Sequence, residues 1–341
     1  MKRALLLLVV IALAGFAGAA WQIDRFLNSP INLAADSQTF EIAPGSPFTR
    51  VANDLEAAGV IDSALLLRLY ARITDKAGSV QAGEYEIRAD ATPVDLIDQF
   101  IRGEVRLYSF TIIEGWNRWE LLNALQANDH LDATLTDEDW ASLLQELGAE
   151  ESHPEGLFLP ETYRFPRGAS DRAILAQAYG LMKTTLAEEW ENRSEKTKVD
   201  SPYAALILAS IIEKETGRAD ERQRISGVFS RRLDIGMRLQ TDPTIIYGIG
   251  ADFNGDITRR DLRTDTPYNT YTRNGLPPTP IAMPGRDSIY AALNPAEGKE
   301  MYFVATGTGD GGHIFSETRE EHEAAVQVYL QEQRRRLQGN P

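Results

Sequence analysis

Glu213 and Glu215 close a run, Tyr203-Ala204-Ala205-Leu206-Ile207-Leu208-Ala209-Ser210-Ile211-Ile212, that carries no charge. Asp200-Ser201-Pro202 ahead of it reads as a helix start: Ser201 can cap free amides and Pro202 suits the first turn. A helix apolar nearly all round is buried on most sides. A carboxylic acid at the mouth of such a helix is disfavoured in its charged form, so its pKa rises, as a general acid near neutral pH requires. Glu213 shares a face with Leu206, Ala209 and Ser210. At about 100° per residue the two carboxylates lie about 200° apart, so both cannot face one cleft. The plainer reading puts both on the solvated end of a core helix, paired with Arg218 or Arg222.

Downstream come Arg238-Leu239-Gln240-Thr241-Asp242-Pro243-Thr244, Tyr247-Gly248, Pro267-Tyr268-Asn269-Thr270-Tyr271, Gly275-Leu276-Pro277-Pro278 and Ile281–Gly285. Aromatic faces stack on sugar rings, amides read hydroxyl and acetamido groups, and Pro-rich loops hold such groups in place before binding. Gln240, Thr241, Tyr247, Tyr268, Asn269 and Tyr271 are the candidate contacts. Asp242 reads as a cap on the following turn. Ordinary turn chemistry explains the Gly and Pro, but less well so many Tyr and Asn.

Other chemistries lack their signatures. The four His (130, 153, 313 and 322) form no HExxH, and there is no Cys, so no zinc site is indicated. Neither G-x-S-x-G nor S-x-x-K occurs. Gly307–Gly312 spells G-x-G-x-x-G after a strand-like Met301–Thr306, but His313-Ile314-Phe315 reads as a returning strand, which makes the glycines a hairpin turn. His313 is a core-edge histidine or a substrate contact. Arg334–Arg336 end a C-terminal helix, Glu317–Leu337, where positive charge is favourable.

The elements that must position these residues form an α+β chain. Thr39–Ile42 reads as a strand. Val51, Leu55 and Ala58 fall at helical spacing, with Gly59 as terminator. A helix over Ser63–Ile73, a strand over Gly83–Ile87 and a helix over Pro93–Arg102 follow. Phe40, Ile42, Gly45, Asn53 and Leu55 recur about 70 residues on as Phe110, Ile112, Gly115, Asn123 and Leu125. That is either an internal repeat, its second unit at 106–135, or a common βα unit reached twice. Residues 136–200 read as mostly helical, interrupted by an aromatic extended segment at 156–165, with a long helix over 171–193.

Composition bounds the rest. A net charge of −15 argues against a nucleic-acid partner. With 43% hydrophobic residues and no Cys, the chain can build cores but not disulfides. One stretch departs from this average: Ala4–Trp21 is uncharged and follows Lys2-Arg3. At about 1.5 Å per residue it spans roughly 27 Å, close to a bilayer core. Its length favours a retained anchor. Ala17-Gly18-Ala19 also fits a signal-peptide cleavage site, and a buried soluble helix is the third reading. Residues 22–38 read as a juxtamembrane linker, and the positive flank keeps the N-terminus cytoplasmic.

Together, GLFLPETYRFPR (156–167), LASIIEKETG (208–217), RLQTDPTIIY (238–247), PYNTY (267–271), GLPP (275–278) and GHIF (312–315) resemble the endolytic murein transglycosylase, or YceG-like, family over residues 37 to 332. The resemblance implies a single-pass inner-membrane protein with a periplasmic body. It implies an anchor over 1–21, a LysM-like module near 37–105 and a mixed α+β catalytic domain over 106–337. Such an enzyme cleaves nascent peptidoglycan strands between N-acetylmuramic acid and N-acetylglucosamine, leaves 1,6-anhydro ends, needs no metal or cofactor and works beside peptidoglycan synthases. The family's catalytic glutamate lies in Ile212-Glu213-Lys214-Glu215; Glu213 is the first assignment and Glu215 the fallback. A hydrolytic muramidase, with Glu213 as acid and Asp242 or another carboxylate as base, and a non-catalytic membrane-tethered scaffold are the rival readings.

Overall fold

A computed structural model describes residues 2–31 and 33–337, with side chains for 6–31 and 33–336. The chain divides into two compact units, one running to Tyr108 and including Arg164–Gly168, the other formed by Ser109–Tyr163 and the remainder.

The first unit begins with α1 (Lys2–Asn28), followed by β1 (Ser37–Ile42), α2 (Phe48–Ala57), α3 (Ala64–Ile73), β2 (Gly83–Arg88) and α4 (Pro93–Arg102). β1 and β2 pair antiparallel with Phe40 opposite Tyr85. The two helices between them bury Val51, Leu55, Leu67 and Ala71 against that ribbon, and Leu96, Ile97 and Phe100 of α4 complete the core. Tyr85 meets Phe100 edge-on, with ring centroids 4.6 Å apart, and its hydroxyl donates to the Gln81 carbonyl at 2.8 Å. α4 keeps its expected bounds because both ends are signalled: Thr92 and Asp95 form a capping box, Pro93 opens the first turn, and Gly103 closes it in the left-handed region.

α1 does not stop at Trp21. It runs to Asn28, well into the stretch read as a linker. Ile23, Phe26 and Leu27 are partly buried, Phe26 packs on the unit's core, and Ile31 is buried with its amide on the Ala91 carbonyl at 2.8 Å. The apolar periodicity that ends at the first charge, Asp24, could not show this packing. That linker reading includes Asn32, which lies outside the described residues, as does Met1 of the anchor. Leu6–Asn28 is long and apolar enough to cross a membrane.

β3 (Leu107–Thr111) pairs with a later strand, β5 (Thr162–Pro166). The second unit continues with α5 (Arg118–Gln126), β4 (Leu131–Asp132), α6 (Trp140–Glu146), β6 (Ala169–Ser170), α7 (Asp171–Glu191), α8 (Pro202–Glu215), α9 (Arg222–Asp234), α10 (Asp242–Ile249), α11 (Arg286–Leu293), β7 (Tyr302–Ala305), β8 (His313–Ser316) and α12 (Arg319–Leu337). α8 is its central post, buried continuously from Ala205 to Ile212 and packed against α7, α9, α10 and α11. Each buried Leu or Ile there contributes about 1.5–3 kcal/mol of transfer free energy. Ser201 caps its start by accepting from the Ala204 amide at 3.2 Å. β7 and β8 form the antiparallel hairpin expected around the glycine-rich turn, where Asp310 accepts from the Gly312 amide at 2.9 Å.

The recurring strand–glycine–helix pattern is matched in burial. Phe40 and Phe110, Ile42 and Ile112, and Leu55 and Leu125 are all buried, while Asn53 and Asn123 are exposed. Gly45 and Gly115 both take positive φ, at 76° and 80°, a turn that any side chain would strain.

Candidate active site

Glu215 is the last residue of α8, and it lines a cleft of about 970 Å³. Gln240, Asp242 and Tyr271 line the same cleft, as do Arg232, residues 302–305 of β7, His313, and His322 and Glu323 of α12. Glu215 accepts a short hydrogen bond from the Thr241 hydroxyl. Burial pushes its carboxyl up to about 7; the charge of Asp242 acts in the same direction, while Thr241 and the Arg232 guanidinium oppose it. A carboxyl so placed is protonated in a large share of molecules at neutral pH and ionises easily, so it can both donate and accept a proton.

The wall around it is built from the loop preceding α10. Gln240 sits at φ 51°, a left-handed conformation unusual for a side chain, with its amide on the Thr270 carbonyl at 3.2 Å. The Thr241 amide donates to the Thr270 hydroxyl at 3.1 Å, and the Thr244 hydroxyl donates to the Thr241 carbonyl at 2.8 Å. Thr241 therefore points its own hydroxyl at Glu215 while its backbone is held from behind. Asp242 is the first residue of α10 but not its cap, which is Thr241 with no side-chain cap bond; the Asp242 Oδ1 instead accepts from the Tyr271 hydroxyl at 2.6 Å in the cleft wall.

Glu213 lies elsewhere. Its Oε2 accepts from the Gly285 amide at 2.9 Å, at the N-terminal cap of α11, and its Oε1 stands 3.9 Å from Arg222. A carboxylate there complements the helix dipole and satisfies an amide that Gly285 has no side chain to cap. Arg222 also pairs with Asp287 at 3.2 Å and lies 3.8 Å from Glu114. Glu213 does not line the cleft, and of the two glutamates the motif offers Glu215 is the one that does. The two residues are about 200° apart on the helix, and burial of α8 continues around its Glu215 side as well as along the Leu206–Ser210 face.

The other expected contacts divide. Gln240 and Tyr271 line the cleft, and Thr241 reaches it through Glu215. Asn269 is 1% exposed: its amide nitrogen donates to the Asp261 and Thr264 carbonyls at 3.0 and 2.7 Å, and its Oδ1 accepts from the Tyr271 amide at 2.9 Å. Both its N–H groups and one lone pair of its oxygen go to shaping the loop that presents Tyr271, and its burial keeps it from a sugar's reach. Tyr247 and Tyr268 meet edge-on at 4.9 Å, and Tyr247 lies 5.6 Å from the Trp119 ring. The Tyr247 hydroxyl donates to Glu155 at 2.8 Å and that of Tyr268 pairs with Thr279 at 2.8 Å, so neither lines the Glu215 cleft.

Several residues escaped the sequence reading. Arg232, 6% exposed, donates to the Met301 and Leu239 carbonyls at 2.7 and 2.5 Å and lies over the Tyr302 ring at 5.3 Å. His322 stacks on Tyr302 at 5.2 Å, and its Nδ1 is buried with no partner among the described residues. Burial and the neighbouring Arg232 charge hold its pKa below the ordinary histidine value. The helical spacing of His322, Val326 and Tyr329 on α12, all lining the cleft, was the available signal. His313 both lines the cleft and is tied to Glu221, its Nδ1 lying 2.7 Å from the carboxylate. Glu155, fully buried, accepts from the Arg118 amide at 3.1 and 3.2 Å as well as from Tyr247, and burial pushes its carboxyl up to about 7.

The model of the YceG-like family matches residues 40–328. A protein of Bacillus subtilis (strain 168) named endolytic murein transglycosylase is 30% identical over 92% of this chain and 91% of its own length. A protein of the same name from Streptococcus pneumoniae serotype 2 is 26% identical over 96% of this chain, which spans 64% of that relative. The 2.6 Å crystal structure of a putative yceG-like protein from Listeria monocytogenes is similar with a TM-score of 0.52 and 29% identity, covering 85% of this chain and 99% of that one. The matched span takes in α8, the loop before α10, the hairpin and most of α12: the chain belongs to the YceG-like family.

Proposed function

We propose that the chain is a peptidoglycan lytic transglycosylase, as its relatives' names state of them, and that Glu215 is its general acid and base. The observation that carries the assignment is the position of Glu215: a carboxyl raised to about 7, lining a cleft whose wall presents Gln240, Tyr271 and Asp242. Protonated Glu215 donates to the oxygen that joins N-acetylmuramic acid to N-acetylglucosamine, and the C1–O bond breaks. The muramoyl acetamido oxygen stabilises positive charge at C1. The carboxylate left on Glu215 then takes the proton of the muramoyl C6 hydroxyl as O6 closes on C1. The product is a 1,6-anhydro end, the acid is regenerated, and no water is consumed. An internal nucleophile needs positioning rather than a second carboxylate, and the effective molarity of such closures is large. Gln240 and Tyr271 are the proposed sugar contacts, and Thr241 tunes the acid.

α1 is the proposed anchor in the inner membrane, with the N-terminus cytoplasmic and the chain after it periplasmic. Its length, its apolar character and the Lys2-Arg3 flank support this. Residues 37–105 are the proposed LysM-like module; the strand–helix–helix–strand order with antiparallel strands supports it.

The test is the full chain on nascent, uncrosslinked glycan, wild type beside Glu215→Gln and Glu213→Gln, with the products weighed by mass spectrometry. Anhydro ends, one water lighter than reducing ends, lost with Glu215→Gln and retained with Glu213→Gln, are the expected result. Reducing ends would make the enzyme a hydrolytic muramidase, with Asp242 in the same cleft as the candidate base. Unchanged cellular glycan length with Glu215→Gln would leave a scaffold.

A further inference from the structure

α3 turns a second apolar face away from its core. Ala64, Leu67 and Ala71 are buried in the first unit, whereas Leu65 is 66% exposed, Leu69 43% and Ile73 75%. At about 100° per residue the exposed three form one stripe almost opposite the buried one. Single exposed apolar residues are ordinary; a stripe of three on one helix marks a contact surface.

Its place in the fold says what covers it. The end of α1 packs beside α3 and α4, and a cleft of about 810 Å³ is lined by Trp21, Arg25 and Phe26 from α1 together with Leu65 and Leu66 from α3. Trp21 is where the uncharged stretch ends: Asp24 and Arg25 are the first charges after it. On a membrane-crossing helix that tryptophan lies at the level of the headgroups, and an apolar helix face beside it lies at the same depth. Arg68 and Arg72 flank the stripe, and neither makes an ion pair among the described residues. Unpaired arginines beside an apolar stripe complement the anionic headgroups of a lipid surface.

We propose that α3 is a membrane-surface helix, with Leu65, Leu69 and Ile73 seated in the outer boundary of the same bilayer that α1 crosses and Arg68 and Arg72 at lipid phosphates. The first unit is then held on the membrane by two elements, one spanning and one lying flat. This rests on the reading of α1 as an anchor, and the two can be tested apart.

Because the chain has no cysteine, single thiols can be introduced cleanly. The full chain carrying Trp21→Cys, Leu65→Cys, Leu69→Cys, Ile73→Cys or Glu104→Cys is labelled with an environment-sensitive fluorophore. It is reconstituted in vesicles of phosphatidylethanolamine and phosphatidylglycerol containing nitroxide-bearing lipid. Glu104 lies just past the far end of α4 from Pro93, which lines the cleft beside α1, and serves as the reference. The expected result is quenching several-fold stronger at 65, 69 and 73 than at 104, comparable to that at 21, and weakened when phosphatidylglycerol is omitted. Quenching at 21 without quenching at 65, 69 and 73 overturns the proposal and leaves the anchor intact, including the case in which a protein covers the stripe only in cells. No quenching at 21 overturns the anchor reading, and the proposal with it. Equal quenching at 104 also overturns it, since the unit would then lack a membrane-facing side.

Discussion

The hydroxyl of Thr241 donates to the carboxyl of Glu215, joining the loop before α10 to the end of α8. Thr241 is 2% exposed and its backbone is anchored on Thr270, so the donor is fixed rather than recruited. It stabilises the charged carboxylate against the burial that favours the neutral acid. The proton of Glu215 is thus set by two opposed local effects, and each can be altered separately.

Removing the carboxyl separates the two glutamates of the motif. Glu215→Gln is expected to lower turnover of nascent glycan by 10²-fold or more, the usual contribution of a general acid. Glu213→Gln keeps an oxygen for the Gly285 amide but loses the charge beside Arg222, so it should cost about 1 kcal/mol of stability and leave kcat nearly unchanged. Turnover by anhydro-end counting and unfolding by denaturant titration check both. A kcat loss in Glu213→Gln equal to that in Glu215→Gln would return the role to Glu213.

The pH profile follows from the proton on Glu215. The acid form is needed to start the reaction, so kcat/KM falls as pH rises past about 7. In Thr241→Val the carboxylate loses its donor, its pKa rises further, and the alkaline limb moves to higher pH. Initial rates across pH in the two proteins measure this; a limb that moved to lower pH would contradict the role given to Thr241.

Stability should also depend on pH through Glu155, in the opposite sense to an ion-paired carboxylate. Its folded pKa of about 7 lies above the ordinary 4.5, so the native state binds the proton more tightly. Its stabilising contribution is complete below about pH 4.5 and is lost as pH rises through about 7. At about 1.4 kcal/mol per unit the loss is about 3 kcal/mol. Glu155→Gln, still able to accept from Arg118 and Tyr247, should be more stable than wild type at pH 8 and little different at pH 4.5. Glu215 adds a dependence of the same sign, which remains in the variant. Thermal unfolding at the two pH values decides it.

Gln240 combines strain with a place in the cleft. A side chain in the left-handed region costs about 1 kcal/mol or more. Gln240→Gly should therefore leave the melting temperature equal or higher while raising KM for glycan through loss of the amide. A lower melting temperature would mean that the side chain holds the loop rather than the substrate.

Much of the fold was legible in the sequence because its signals are local. α4 carries its capping box and terminal glycine in consecutive residues, α8 carries Ser201-Pro202 and an unbroken apolar run, and the turn between β7 and β8 carries its glycines. The site was legible as a set of segments but not as an assignment. Nothing local separates Glu213 from Glu215: the difference lies in Gly285 and Arg222 on one side and Thr241 on the other, residues distant in sequence or set by a loop turn. Asn269 read as a sugar ligand because its type suits one, yet the carbonyls of Asp261 and Thr264 already occupy its amide. Tyr247 and Tyr268 lie outside the Glu215 cleft, their hydroxyls bonded to Glu155 and Thr279, whereas Tyr271, bonded to Asp242, lines it.

α1 enters the first unit without a joint, since Ile23, Phe26 and Leu27 pack before the helix ends and Ile31 is buried just after it. Helices that cross a bilayer adjust their tilt to its hydrocarbon thickness. With α1 as the proposed anchor, a change of tilt is not absorbed at a hinge and turns the packed first unit with it. On that proposal lipid composition, and the thickness it sets, becomes a mechanical input to the unit's folded core.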